Sequence, residues 1–135
     1  MKGKILVLLV AMSSFFLFAF LQQDTLSASV ERGKTVYESN CMSCHMVDGA
    51  GLEGAFPPLA NTDRLKDKAR LVKIVVNGLS GPIEVKGTQY DMEMTPVSLS
   101  DQEIMDVLNY IRNSWGNKAP IVSLTEVNKF KTAAK

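Results

Sequence analysis

Cys41-Met42-Ser43-Cys44-His45 constrains this chain more than any other stretch, because it holds the only two cysteines and the only histidine present. Two thiols separated by two residues add to the two vinyl groups of one haem, and the histidine that follows reaches the iron from the same side. One turn thereby supplies two covalent tethers and one axial ligand. Other uses of such a turn each lack a part. A structural zinc site needs four Cys or His ligands, and this chain has three. A thioredoxin-like dithiol belongs at the end of a strand in a βαβ pattern, whereas the flanks here read as helix before and glycine-rich loop after. A disulfide across so short a spacing closes a small, strained ring and gives His45 no role.

The chain is 135 residues long, enough for one compact domain behind a leader. Lys2 and Lys4 precede an apolar run, Ile5 to Leu21, broken only by Ser13 and Ser14, with small residues at Ser27, Ala28 and Ser29. That is the pattern of a secretory signal over residues 1–28. The run is longer than an average signal core and shorter than a comfortable membrane span, and no Ala-x-Ala site closes it. It therefore serves either as a cleaved leader or as an uncleaved anchor that associates the protein with a membrane. From Ser29 onward there are 13 basic and 13 acidic side chains, so the mature part is formally neutral and has no basic stripe for nucleic acid. A domain of about 105 residues buries only about two-thirds of its unfolded surface, so a large flat cofactor at its centre would supply much of the missing core.

Ser29 as N-cap opens a predicted helix from Val30 to Asn40, with Val30, Gly33 and Tyr37 on one face; a glycine there implies close approach by another helix or simple tolerance. After His45 the glycines at 49, 51 and 54 give an irregular loop that wraps a ligand, and Phe56-Pro57-Pro58-Leu59 stiffens its exit. A ligating histidine donates its second N–H to a fixed acceptor, and a carbonyl of the Pro57-Pro58 segment is the candidate. Phe56 and Leu59 would then contact the cofactor. Asn61, Thr62 and Asp63 offer caps for a helix to Asn77, stopped by Gly78, whose charged residues from Arg64 to Lys73 read as a solvated face. Ile83 to Val85 and Thr88 to Tyr90 around Lys86-Gly87 read as a short hairpin. Ser100 and Glu103 form a capping box for a last helix whose face is Ile104, Val107, Leu108, Ile111 and Trp115, with Gly116 as its stop. Residues 118–135 form a tail, expected to fray beyond Val127.

Taken together, the haem motif, Phe56-Pro57-Pro58-Leu59-Ala60, a late methionine and the closing Leu108-Asn109-Tyr110-Ile111-Arg112-Asn113-Ser114-Trp115-Gly116-Asn117 resemble the single-haem class I c-type cytochromes. The chain is most similar to the small cytochrome domains that serve terminal oxidases, nitrite reductases and quinoprotein dehydrogenases, over about Val30 to Gly116. The resemblance implies an all-α cytochrome c fold over residues 29–117, in which the first and last helices cross around one haem beside a short β-hairpin. Gly33 and Tyr37 would touch Val107 and Tyr110. It implies covalent haem c on Cys41 and Cys44, with His45 as one axial ligand and the Pro57 carbonyl accepting from its ring. A methionine before the last helix would be the second ligand. Family spacing falls on Met94, with Met92 as the alternative, although this chain reads Met94-Thr95-Pro96 where the family commonly has Met-Pro. The implied function is electron transfer to or from an oxidase, reductase or dehydrogenase, in the periplasm or on the outer face of the cytoplasmic membrane. The chain would not be an enzyme by itself. A haem enzyme or gas sensor with an open sixth position is the alternative, and it lacks an acid–base group once His45 is committed.

Overall fold

The computed structural model describes residues 25–133, so the expected leader lies outside them except for its last four residues. Among the described residues no helix is long and apolar enough to cross a membrane. The first helix, α1, spans Leu26–Asn40 and starts earlier than the pattern predicts. Thr25 is its cap, its hydroxyl accepting from the Ala28 N–H at 3.3 Å. Ser29 is a helical residue instead, because its hydroxyl is engaged by the buried Asp106 carboxylate at 2.6 Å. Ser29, Gly33 and Tyr37 form the buried stripe of α1, one residue per turn.

That stripe packs on α4, Asp101–Ile111, the helix read as last from the sequence. A Cβ added at Gly33 would overlap the Asp106 carbonyl oxygen and press on Tyr110 Cβ, so glycine is required by the contact and not simply tolerated. Tyr37 and Tyr110 meet with ring centroids 5.3 Å apart. The expected capping box is formed: Ser100 Oγ accepts from the Glu103 N–H, and Glu103 accepts from the Ser100 N–H at 2.8 Å. Ile104, Val107, Leu108 and Ile111 are buried. Each contributes about 1.5–3 kcal/mol relative to exposure. The helix ends at Arg112, however, and Gly116 is not its stop. The chain turns back through Trp115, at φ 52°, whose ring lies 5.0 Å from Tyr37.

Between these helices, α2 is a single turn, Met42–His45. The one helix expected from Asn61 to Asn77 is two pieces, a 3₁₀ turn at Asp63–Leu65 and α3 at Lys68–Asn77. Two caps compete there. Thr62 accepts from the Arg64 N–H and Asp67 from the Arg70 N–H, and each draws a new helix start to itself. The hairpin is as read: β1 (Ile83–Val85) pairs antiparallel with β2 (Thr88–Tyr90), Val85 opposite Thr88. Lys86 and Gly87 both have positive φ, as a two-residue hairpin turn with the twist of its strands requires.

The tail does not fray where expected. It forms α5, Leu124–Thr132, behind a second capping box of Ser123 and Glu126, and Val122 and Val127 are fully buried. Asn109 grips it in both directions, donating to the Val122 carbonyl at 3.0 Å and accepting from the Val122 N–H at 2.7 Å. Arg112 donates to the Leu65 and Pro120 carbonyls. Lys68 donates to the Ile121 carbonyl at 2.8 Å and pairs with Glu126 at 2.8 Å. Burial of two valines and these bonds outweigh the entropy of a lysine-rich end.

Candidate functional site

The Cys41–His45 turn is held by the loop it precedes. The His45 carbonyl accepts from the Gly51 N–H at 3.0 Å, and the Gly49 carbonyl accepts from the N–H groups of both Leu59 and Ala60. This folds Phe56-Pro57-Pro58-Leu59 back onto the turn. Two glycines at positive φ permit it, for a Cβ at Gly49 would enter the Trp115 ring and one at Gly51 would overlap the Phe56 carbonyl. His45 Nδ1 then lies 3.0 Å from the Pro57 carbonyl oxygen. A carbonyl only accepts, so Nδ1 carries the proton and Nε2 keeps its lone pair. The Tyr37 hydroxyl ties the far end of the turn, donating to the Met46 carbonyl at 2.6 Å.

Beside this turn lies an apolar cleft. Cys41, His45, Pro57 and Leu59 form one part of its lining; Leu71 and Ile74 of α3, Leu79, Ile83 and Val85 of the hairpin, Met94, and Val107 and Ile111 of α4 form the rest. An adjoining lobe is lined by Cys41, Cys44, His45, Phe56, Met92 and Met94. The structure thus brings together Cys41, Cys44, His45, Pro57, Leu59 and Met94, the residues singled out from sequence. Met94 lines both lobes, whereas Met92 lines one and is more than half exposed. Met105 is buried within α4 and lines neither lobe.

Arg64 and Arg70 also line the cleft, which corrects the reading of that charge run as wholly solvated. Arg64 belongs to the 3₁₀ turn and Arg70 to α3, so the two pieces each send one arginine to the same space. Ile74, Leu79 and Ile83 were likewise missed as lining residues. Ile74 lies two positions from both Val72 and Val76, on the opposite side of α3 from the face read from 65, 69, 72 and 76, and only a view of which side of α3 meets the cleft could have selected it.

Burial lowers the pKa of His45, against the opposing pull of the Pro57 carbonyl, so the neutral ligating form is favoured at pH 7. Burial, assisted by Cys44, pushes the Cys41 thiol up to about 11. A redox dithiol needs the reverse, a stabilised thiolate. Both cysteines are free, on the wall of a largely apolar cleft that also carries a neutral imidazole, the Met94 thioether and two guanidinium groups, with Asn40, Glu93 and Thr95 in the adjoining lobe. That donor set suits a flat apolar ring that carries anionic substituents and binds a soft, nitrogen- and sulfur-seeking metal.

The cytochrome c family model matches residues 30–115. Cytochrome c-552 of Thermus thermophilus is 39% identical over 107 residues, spanning 75% of this chain and 72% of that protein. The cytochrome c subunit of the quinone alcohol dehydrogenase of Gluconobacter oxydans is 38% identical over 74% of this chain, and the match covers 22% of the subunit. The Cbb3-type cytochrome c oxidase subunit CcoP of Azospirillum brasilense is 30% identical over 76% of this chain, covering 34% of that subunit. The chain thus corresponds to most of the first protein and to a minor part of each of the other two.

Proposed function

This chain belongs to the cytochrome c family, binds haem c covalently, and works in electron transfer with redox partner proteins; from that premise we propose the ligands and the circuit. Cys41 and Cys44 hold the cofactor through thioether bonds, and His45 and Met94 are the axial ligands. The chemistry haem c supplies there when bound is a one-electron exchange at its iron. Pro57 fixes the His45 tautomer and aims Nε2, which also raises the basicity of the ring. Leu59, Leu71, Ile74, Leu79, Ile83 and Val107 keep water from the cleft. Arg64 and Arg70 meet the two carboxylates of the cofactor with opposite charge.

With both axial positions filled there is no place for a substrate, so the protein carries electrons and does not turn over a substrate itself. Its partner is a respiratory oxidase, reductase or dehydrogenase, the class to which the dehydrogenase and oxidase subunits similar to it belong by name. A signal or anchor over residues 1–28 puts it in the periplasm or on the outer face of the cytoplasmic membrane, with residues 29–117 as the haem domain.

The observation that carries this reading is the convergence of Cys41, Cys44, His45 and Met94 on one apolar cleft. After denaturation and organic extraction the protein should retain its haem, and Cys41→Ala or Cys44→Ala should lower holoprotein yield sharply. Met94→Ala should abolish the weak near-infrared sulfur-to-iron absorption and lower the potential, while Met92→Ala leaves both nearly intact. Haem that extracts completely, or the reverse methionine pattern, would overturn the assignment.

A further inference from the structure

We propose that Gly78 is the positioning residue for the Met94 thioether, an inference that rests on Met94 being the sixth ligand. Met94 belongs to no helix or extended strand of its own. Its backbone is held by an isolated antiparallel pair with Leu79: the Leu79 N–H donates to the Met94 carbonyl and the Met94 N–H to the Leu79 carbonyl, both at 2.9 Å. Three residues on, the Val97 N–H donates to the Val75 carbonyl, also at 2.9 Å. The methionine segment therefore takes its position from the C-terminal end of α3. Thr95 adds no ring to stiffen it, so this borrowed pairing is what fixes the direction in which Met94 leaves the backbone.

Gly78 is what permits the pairing. It stands at φ 78° and ψ −172°, a conformation open to glycine and strained for any L side chain. Ending a helix would account for the positive φ but not for the crowding. A Cβ at Gly78 would overlap the Met94 carbonyl oxygen and stand 3.0 Å from Pro96 Cδ. Gly87, in the hairpin turn at φ 81°, has nothing within 4 Å of the same imagined atom and lines neither lobe of the cleft. A side chain at 78 forces the Met94 backbone off Leu79, and the sulfur moves with it. A side chain at 87 strains only its own residue.

The test compares four holoproteins: wild type, Gly78→Ala, Gly87→Ala and Met94→Ala. Two readouts follow the thioether and not general stability: the near-infrared sulfur-to-iron band of the ferric protein, and the affinity for added imidazole, which competes with the methionine. Gly78→Ala should lose most of the band and bind imidazole about tenfold tighter or more, whereas Gly87→Ala should melt lower yet keep both properties near wild type. A Gly78→Ala protein indistinguishable from Gly87→Ala in both readouts overturns the proposal. If Met94→Ala keeps the band, the ligand assignment itself fails, which is a separate result. Should Gly78→Ala give no holoprotein, amide exchange in the wild type decides. Saturating imidazole should speed exchange at Leu79 and Met94 by about tenfold while Val122 is unaffected, because coupling between ligand and pairing is reciprocal. Unchanged protection at Leu79 would overturn the idea.

Discussion

Asp106 is a carboxylate in the interior of α4, and its surroundings show how a polar residue holds two helices together. It accepts from the Ser29 hydroxyl at 2.6 Å, from Arg32 Nε and Nη2 at 2.8 Å each, and from Gln102 at 3.2 Å. The Asp106 side chain is 3% exposed and that of Arg32 43%. The two partners of this ion pair therefore differ in weight. Asp106→Ala strips three donors of their acceptor inside the α1–α4 contact and should cost about 2–4 kcal/mol in denaturant unfolding of the holoprotein. Arg32→Ala removes a half-solvated cation and should cost less than about 1 kcal/mol. Equal losses would show that the charge pair, and not the buried hydrogen bonds, carries the contact. None of this was legible beforehand. A hydrophobic pattern assigns a mid-helix aspartate to water, and its Ser29 and Arg32 donors lie more than 70 positions away.

At the scale of elements, the helices that a strong local signal announces are those the sequence yields. Ser100 with Glu103, followed by four apolar residues at helical spacing, gives α4; Lys86-Gly87 between alternating residues gives the hairpin. The same signal, Ser123 with Glu126, also precedes α5. There the signal is masked by lysines that resemble a solvated end, while the partners that fix the tail, Asn109, Arg112 and Lys68, come from other elements. Likewise the carbonyl for His45 could be inferred within two residues, since it follows a short loop, but Arg64 and Arg70 meet the cleft, and Gly78 meets the Met94 backbone, only after α3 is placed. A chain ending at Asn117 loses the burial of Val122 and Val127 and should be about 3–5 kcal/mol less stable, with its visible haem spectrum unchanged at low temperature. An equally stable truncated protein would mean that α5 merely rests on the surface.

Acid should loosen this same element. Partial burial works to raise Glu126, but hydrogen bonds from Lys68 and Ser123 outweigh it and hold the carboxyl below the usual glutamate range. A depressed carboxylate stabilises the fold above its unfolded value, and the contribution is lost as pH falls through the folded one. Between about pH 5 and pH 3, Glu126→Gln should therefore show a shallower loss of melting temperature than wild type. Parallel curves would remove Glu126 from the latch.

For the whole molecule, charge is balanced and the neighbourhood of the cysteines is apolar. Val47 and Leu52 beside the attachment turn and Met92 at the cleft are each more than half exposed, with Asp48, Glu53, Asp91 and Glu93 interspersed. Strong steering needs concentrated opposite charge, and screening shortens its reach to about 10 Å at 0.1 M salt. The second-order rate of electron transfer with the physiological partner should thus vary less than about tenfold from low to high ionic strength. A steeper fall would place the docking surface on the acidic residues next to Met92 and Met94.

The most extensive helix contact in the fold joins α1 to α4, whose bonded residues Ser29 and Asp106 are 77 positions apart. Everything between them is a closed circuit of chain, fastened where the two ends cross. Lys86-Gly87 forms a bend of that circuit, exposed and with open space beside Gly87. A single proteolytic cut there would produce two fragments, one bearing Cys41, Cys44 and His45, the other bearing Met94. Because the crossing, the α5 latch and the Leu79–Met94 pairing all span the cut, the two pieces remain one particle, and the polypeptide can be severed without being taken apart.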